Sequence, residues 1–382
     1  MKIPLVSVII PTKNRQKYAE LTIRQIANMK KNIEIIIQDN SDDISLYEKI
    51  EDLVDDKWVK YYYESHPLSM SQNYNSAAEK VTGKYLFAIG DDDGVLPNII
   101  QCAEWMEKNG VDALKPAKDL VYFYPGVLEW PRSSCLKYRK YAGNYFFSNP
   151  EAGVISLLDD GGCNYQNKNV VGSYHGLVNM DIMREVKRIT GKYYDGLVPD
   201  MYSVVCISLL PKIKFATLDY PISLPGVCSS SGSAVGRTIS LGKIKVKDSP
   251  HLKMEPGFQW STLTPKYYAS ETIWAETMLY ALQKMNRSDL IDKYYNEWAL
   301  IYHLFFKYNE HINIIKDNLS MDQKKYMLNL HKNVGKGRWS KVFEYIIERF
   351  SGELKVYNRV NNIIEAVRVV TQKLNLKYFS LS

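Results

Sequence analysis

The chain has 382 residues, 46% of them hydrophobic, a net charge of +7, and seven Trp, 29 Tyr and 11 Phe, which excludes a disordered chain and leaves room for two domains. No run approaches the roughly 20 apolar residues of a membrane-spanning helix, and five scattered cysteines without a CxxC pair give neither a disulfide framework nor a zinc site. From Met321 to Ser382, twelve Lys/Arg face five Asp/Glu, an excess equal to the whole net charge of +7. A near-neutral body with a basic tail predicts an anionic surface as partner; nucleic acid is not expected among the partners. The N-terminus runs straight into a strand-like segment without a small-residue cleavage site. No signal peptide is expected, and the predicted location is cytoplasmic.

In chain order, an apolar β-rich run at 5–10 ends at Pro11, and helical spacing follows over 14–29. Strands are predicted at 33–37, 58–62 and 85–89, with a helix at 71–81 between the last two. Strands apolar on both faces and alternating with helices predict a parallel sheet covered on both sides. Ligands bind such sheets at the carboxyl ends of the strands. Those ends carry Pro11-Thr12-Lys13-Asn14-Arg15, Asp39-Asn40-Ser41-Asp42 and Asp91-Asp92-Asp93, so three polar clusters are expected at one edge. The middle, 111–235, is less regular. It holds a Pro199-Asp200 step before an apolar helix at 201–210 and a Ser/Gly run at 228–236. From about Pro265 onward, apolar spacing predicts helices at 268–285, 289–306 and 339–350.

Three adjacent carboxylates repel one another and need a compensating charge or donors. Beyond a buried strand they would form an oxygen-rich pocket for a hard divalent cation bridging a diphosphate. The alternative is a solvated acidic loop at the start of the next helix. His175 is either a substrate contact or a structural histidine, and His251 either completes a metal site or does not. The run at 228–237, with Arg237, either closes on a diphosphate through its N–H groups or is a surface linker. In the tail, Trp339, Phe343, Ile346, Ile347, Phe350, Leu354 and Tyr357 form an apolar stripe beside Lys341, Arg349 and Lys355. It suits an anionic membrane surface, the protein body or a second copy in a homodimer.

The segments VSVIIPTKNR (6–15), IEIIIQDNSDD (33–43), QNYNSAAEKVTGKYLFAIGDDDGVLP (72–97) and, more loosely, GLVPDMYS (196–203) resemble the family 2 glycosyltransferases. The resemblance implies a GT-A α/β domain, here 1–235, followed by a mainly helical basic region, 236–382. It implies an inverting, Mn²⁺- or Mg²⁺-dependent transfer from a UDP-sugar to a glycan, perhaps lipid-linked, in surface-polysaccharide assembly. By the resemblance Pro11, Thr12, Asn14, Arg15 and Ser41 line the nucleoside, Asp39 accepts from the uracil N3–H, and Asn75 meets the donor. Asp91 falls near the ribose, Asp92 and Asp93 at the metal, and Asp200 at the base that takes the acceptor proton. Two departures stand out: Gly90 occupies the place of a first aspartate, and Asp200 lacks an acidic neighbour. A sugar-nucleotide nucleotidylyltransferase and a degenerate, binding-only transferase are the alternatives. PTKNR, lacking glycine, suits a triphosphate poorly.

Overall fold

The computed structural model describes residues 3–29, 32–55, 57–127, 134–231, 250–255, 257–308, 312–333, 355–376 and 381. The first strands are β1 (Val6–Thr12), β2 (Ile33–Asp39), β3 (Val59–Tyr63) and β4 (Tyr85–Ala88), separated by α1 (Gln16–Ala27), α2 (Ser45–Ile50) and α3 (Met70–Ala78). They pair in parallel, in the order β3-β2-β1-β4. Because side chains alternate across a strand, Val6, Val8 and Ile10 of β1 join α1, α2 and α4 (Ile99–Asn109) on one face. Ile9, Ile36, Leu86 and Ala88 pack on the other, against α3 and later helices. Each fully buried Val, Ile or Leu among them contributes about 1.5–3 kcal/mol.

Helix α3 starts one residue before its predicted bound because Ser69 and Gln72 form a reciprocal capping box. Beyond β4 the sheet departs from the parallel expectation. Strands β5 (Gly94–Val95), β6 (Ala113–Pro116), β7 (Val121–Phe123), β8 (Cys135–Tyr138), β9 (Tyr145–Ser148), β10 (Leu177–Asn179) and β11 (Phe215–Leu218) follow, with β10 antiparallel between β4 and β6. An antiparallel strand needs no crossover helix, so the 173–176 turn leads straight into β10 after bonding the end of β4 (Ala88 N to Ser173 O, His175 N to Ala88 O, both 2.9 Å). Helices α5 (Pro150–Asp159), α6 (Met180–Thr190) and α7 (Pro199–Ser208) cover this half.

The C-terminal region is helical over Ser270–Lys284, Ser288–Tyr294, Glu297–Lys307 and Met321–Asn333. The single helix expected at 289–306 is two, because Asn296 is extended and its side chain caps the second by accepting from Ala299 N (3.2 Å). The last elements do not form a separate extension. Strand Lys355–Asn358 pairs antiparallel with β8, and helix Ile363–Lys373 packs Ile363, Ala366, Val367 and Val370 against Leu96, Tyr122 and Leu224. The boundary expected at residue 235 therefore does not divide the packing. Most of the apolar tail stripe lies outside the described residues, whereas Tyr357 is exposed on its strand. Among the described residues no helix is long and apolar enough to cross a membrane.

Candidate functional site

The three polar clusters meet at the carboxyl edge of β1, β2 and β4, as the strand order requires. Asn14 adopts a left-handed backbone (φ 56°), which Asn tolerates better than most residues, and this turns the chain back over β2. Its N–H donates to Ser41 Oγ (2.8 Å), and its side chain exchanges hydrogen bonds with Asp42. Thr12 Oγ1 donates to Asp91 Oδ2 (2.6 Å), and Thr12 O accepts from Asn40 N (3.0 Å) and Asn73 Nδ2 (3.2 Å). Pro11 continues β1 instead of ending it, opposite Gln38 and past the last β4 pairing at Ile9.

Asp39 is 0% exposed; it accepts from Ser41 N (2.9 Å) and Tyr61 OH (2.8 Å). It does not cap α2, since Ser45 N donates to Asp43 instead (3.0 Å). Asn75, expected at the donor, is engaged with the chain itself. It clamps the 193–194 turn, accepting from Tyr193 N (2.9 Å) and Tyr194 N (3.1 Å) and donating to Ser71 O (2.9 Å) and Tyr194 O. Its neighbour Asn73, one turn-face away, is the residue that reaches the β1 loop.

At the acidic corner the compensating charge comes from the chain itself. Arg15 Nη1 lies 2.7 Å from Asp91 Oδ1 and Nη2 lies 2.7 Å from Asp92 Oδ2. Arg15 was expected at the nucleoside; here it is 20% exposed and bridges two buried carboxylates. Asp92 Oδ2 also accepts from Ser231 Oγ (2.5 Å) and Cys228 N (3.3 Å). The N–H expected to meet a diphosphate thus meets a carboxylate. Thr22 Oγ1 secures the turn from α1, bonding Asp91 O (3.1 Å) and Asp93 O (2.7 Å). Burial pushes the Asp91 and Asp92 carboxyls up, against the pull of Arg15.

Asp93 is committed elsewhere. It accepts from Gly90 N (2.7 Å), Gly226 N (2.7 Å) and Tyr174 OH (3.1 Å), and pairs with His175 Nε2 (3.3 Å). Burial acts to raise its carboxyl, but His175 and the two backbone donors outweigh it and hold Asp93 below the usual range. His175 is buried and bridges Asp93 to Ser223 Oγ (2.9 Å), so it braces the corner and is not a substrate contact. Close packing explains two glycines. A Cβ at Gly90 would lie 3.0 Å from Asp93 Oδ2 and 3.1 Å from Asp92 Oδ1, crowding out a further carboxylate. One at Gly226 would overlap Asp92 O at 1.8 Å.

A divalent ion needs at least one or two carboxylates open to it, and the corner as arranged is filled by the guanidinium. The expected ligand set of Asp92, Asp93 and His251 does not assemble. His251 Nδ1 bonds Tyr268 OH (2.5 Å) beside a recess lined by Ser69, Ser71, Gly196 and Leu197. Among the described residues no group of three His, Cys, Asp or Glu side chains could hold a metal ion. Mn²⁺ or Mg²⁺ therefore does not fit beside Arg15. Arg237 lies outside the described residues.

Asp200 is in the first turn of α7, whose N-cap is Val198 and carries no side-chain cap. Its carboxylate instead accepts from Tyr165 OH. Asp195, the acid five residues before Asp200, is engaged with Lys192 (3.1 Å) and Tyr280 OH (2.8 Å). Tyr74 sits where the charges of Asp200, Asp93 and Asp91 all bear on its phenol, which burial pushes well up, so these groups share one region. Lys118, lowered to about 8 by burial, feels both Asp200 and Asp93 and donates to Tyr174 O (2.9 Å). Sequence reasoning missed Tyr74, Tyr165, Tyr174, Lys118 and Asn73, which carry no motif. Two buried polar atoms beside the corner have no hydrogen-bond partner, Arg15 Nε and Asn73 Oδ1, whereas Asp91 Oδ1 is held by the Arg15 ion pair.

The model of the family described as "Glycosyl transferase family 2" matches residues 7–168, the stretch that builds β1 to β4 and the acidic corner. Over those residues, under half of the chain, the protein is similar to family 2 glycosyltransferases. The α/β, parallel-rich sheet is the one expected of a GT-A fold. A Campylobacter jejuni GalNAc(5)-diNAcBac-PP-undecaprenol beta-1,3-glucosyltransferase is 31% identical over 96 residues, 24% of this chain and 31% of that protein. The match thus spans about a third of the curated relative's length. Staphylococcus aureus TarS 1–349, solved with UDP-GlcNAc, shares 12% identity over 85% of this chain and 78% of its own at a TM-score of 0.45. For S. aureus TarS the figures are 13%, 85%, 55% and 0.46.

Proposed function

We propose that the chain transfers a sugar from a nucleotide-diphospho-sugar, preferentially a UDP-sugar, to a hydroxyl of a glycan acceptor, with inversion. The observation that carries this reading is the meeting of the Thr12, Asp39 and Asp91 clusters at one sheet edge, with Asp91, Asp93 and Asp200 all bearing on the buried Tyr74 phenol. Asp200 accepts the acceptor proton while the acceptor oxygen attacks the anomeric carbon, and the bond to the diphosphate breaks with its electron pair on the departing nucleotide. Tyr165 orients Asp200 for this role. A carboxylate at position 39 favours uracil, whose N3 carries a proton, over cytosine, whose N3 does not. The curated relative's name includes a polyprenyl-diphosphate-linked glycan, which supports an acceptor of lipid-linked glycan class and a place in surface-glycan assembly.

Calorimetry with UDP and CDP, followed by a UDP-sugar panel scored for slow hydrolysis, tests the reading. Binding of UDP in preference to CDP, with turnover of one donor, is expected. Absence of both UDP binding and hydrolysis would favour the second reading, a binding-only relative, whose specific support is the guanidinium filling the acidic corner.

A further inference from the structure

We infer that Arg15 is the resident cation of the acidic corner, and that a divalent ion reaches Asp91 and Asp92 only when the guanidinium leaves. This rests on reading the corner as the donor-diphosphate side of a transferase site. The fork geometry is the first support: two guanidinium nitrogens, each 2.7 Å from a different carboxylate, match what a planar Arg does and a Lys cannot. The second is burial. Asp91 and Asp92 are 2% and 4% exposed, and neighbouring buried carboxylates stay ionised only beside a positive charge.

The third support is the clamp around the guanidinium itself. Nη2 also lies 3.0 Å from Cys228 Sγ, and the Arg15 head stands over the Tyr18 ring at 6.0 Å. Asp92 Oδ2 is closed from the far side by Ser231 and Cys228. A second cation in this space would meet Arg15 as a like charge, so the two occupants exclude one another. The unpartnered Nε is the side on which Arg15 is held least. The third carboxylate stays out of the exchange, since Asp93 is already engaged by His175 Nε2, Tyr174 OH and the N–H groups of Gly90 and Gly226.

The test uses Mn²⁺ alone on the full chain without nucleotide, read by water-proton relaxation. Wild type is expected to bind weakly and Arg15→Gln at least tenfold more tightly, with the gain lost in Arg15→Gln/Asp92→Asn. Equal affinity in wild type and Arg15→Gln overturns the inference. Melting of the wild type is a second measurement that needs no variant. Tm is expected to be the same in Mn²⁺ and in EDTA, and a clear rise in Mn²⁺ would show the ion entering with Arg15 in place, which also overturns it. UDP calorimetry separates the two claims. UDP binding without a Mn²⁺ gain in Arg15→Gln sinks the exchange alone, whereas the gain without UDP binding sinks the donor reading alone.

Discussion

Carboxylates in this protein take their roles from what surrounds them, and five aspartates and one glutamate show the range. Asp39 closes its own loop, Asp91 and Asp92 share a guanidinium, Asp93 braces a histidine, and Asp200 is oriented by a phenol. Changing Asp200 to Asn removes the proton acceptor and keeps the shape. UDP affinity by calorimetry is expected to be unchanged, while transfer falls at least about 100-fold, the usual span of general base catalysis. Retained turnover would return Asp200 to a structural role in α7. Glu34, 0% exposed within β2, accepts from Lys60 (2.5 Å), Thr82 Oγ1 (2.7 Å) and Ser7. Burial alone would raise its carboxyl, but these donors outweigh it and hold Glu34 below its ordinary value. Its contribution to stability is therefore present above about pH 4.3 and fades as pH falls through the lower folded value. Lys60→Met leaves the charge buried and unpaired. Urea melts at pH 7 are expected to show a loss of about 3–5 kcal/mol, shrinking in acid, where Glu34 becomes protonated.

Elements were readable where one periodicity ran long enough to identify them. The β1, β2 and β4 runs are uninterrupted apolar segments, and the strand-end polar clusters followed from the parallel arrangement. The antiparallel entry of β10 was not readable, because three residues carry too little pattern to state direction. The split of 289–306 hid behind apolar residues that kept helical spacing across Asn296. Pairings across distance were also silent: nothing in PTKNR states that its arginine turns to a carboxylate 76 residues on, and Asn73 and Asn75 look alike until α3 is oriented. Helix Ile363–Lys373 gives a direct check at this level. Val370 is 0% exposed against Leu96 and Tyr122, and Tyr122 OH donates to Val360 O (2.9 Å) just before it. Val370→Asp buries an unpaired charge, so a destabilisation above about 3 kcal/mol is expected in urea denaturation. An unchanged midpoint would detach the helix from the sheet domain.

Across the molecule, charge is partitioned between a near-neutral body and a basic stretch whose middle, 334–354, lies outside the described residues. If that stretch meets an anionic membrane, one of the three surfaces its stripe suits, Lys336→Glu/Lys341→Glu/Arg349→Glu is expected to reduce pelleting with phosphatidylglycerol vesicles. The remaining pelleting should fall further with added salt. Equal pelleting of variant and wild type would leave the stripe to packing or dimer contacts. Substitution is the appropriate probe, since truncation would also remove helix Ile363–Lys373 and its partners.

The pairing of Lys355–Asn358 with β8, and of the following helix with the region around Leu96, ties the start of the chain to its far end. During synthesis the acid-bearing half would wait, one flank uncovered, until about residue 376 had cleared the ribosome. A protease nick anywhere in 334–354 should likewise leave two fragments that travel as one through a sizing column and part only in denaturant.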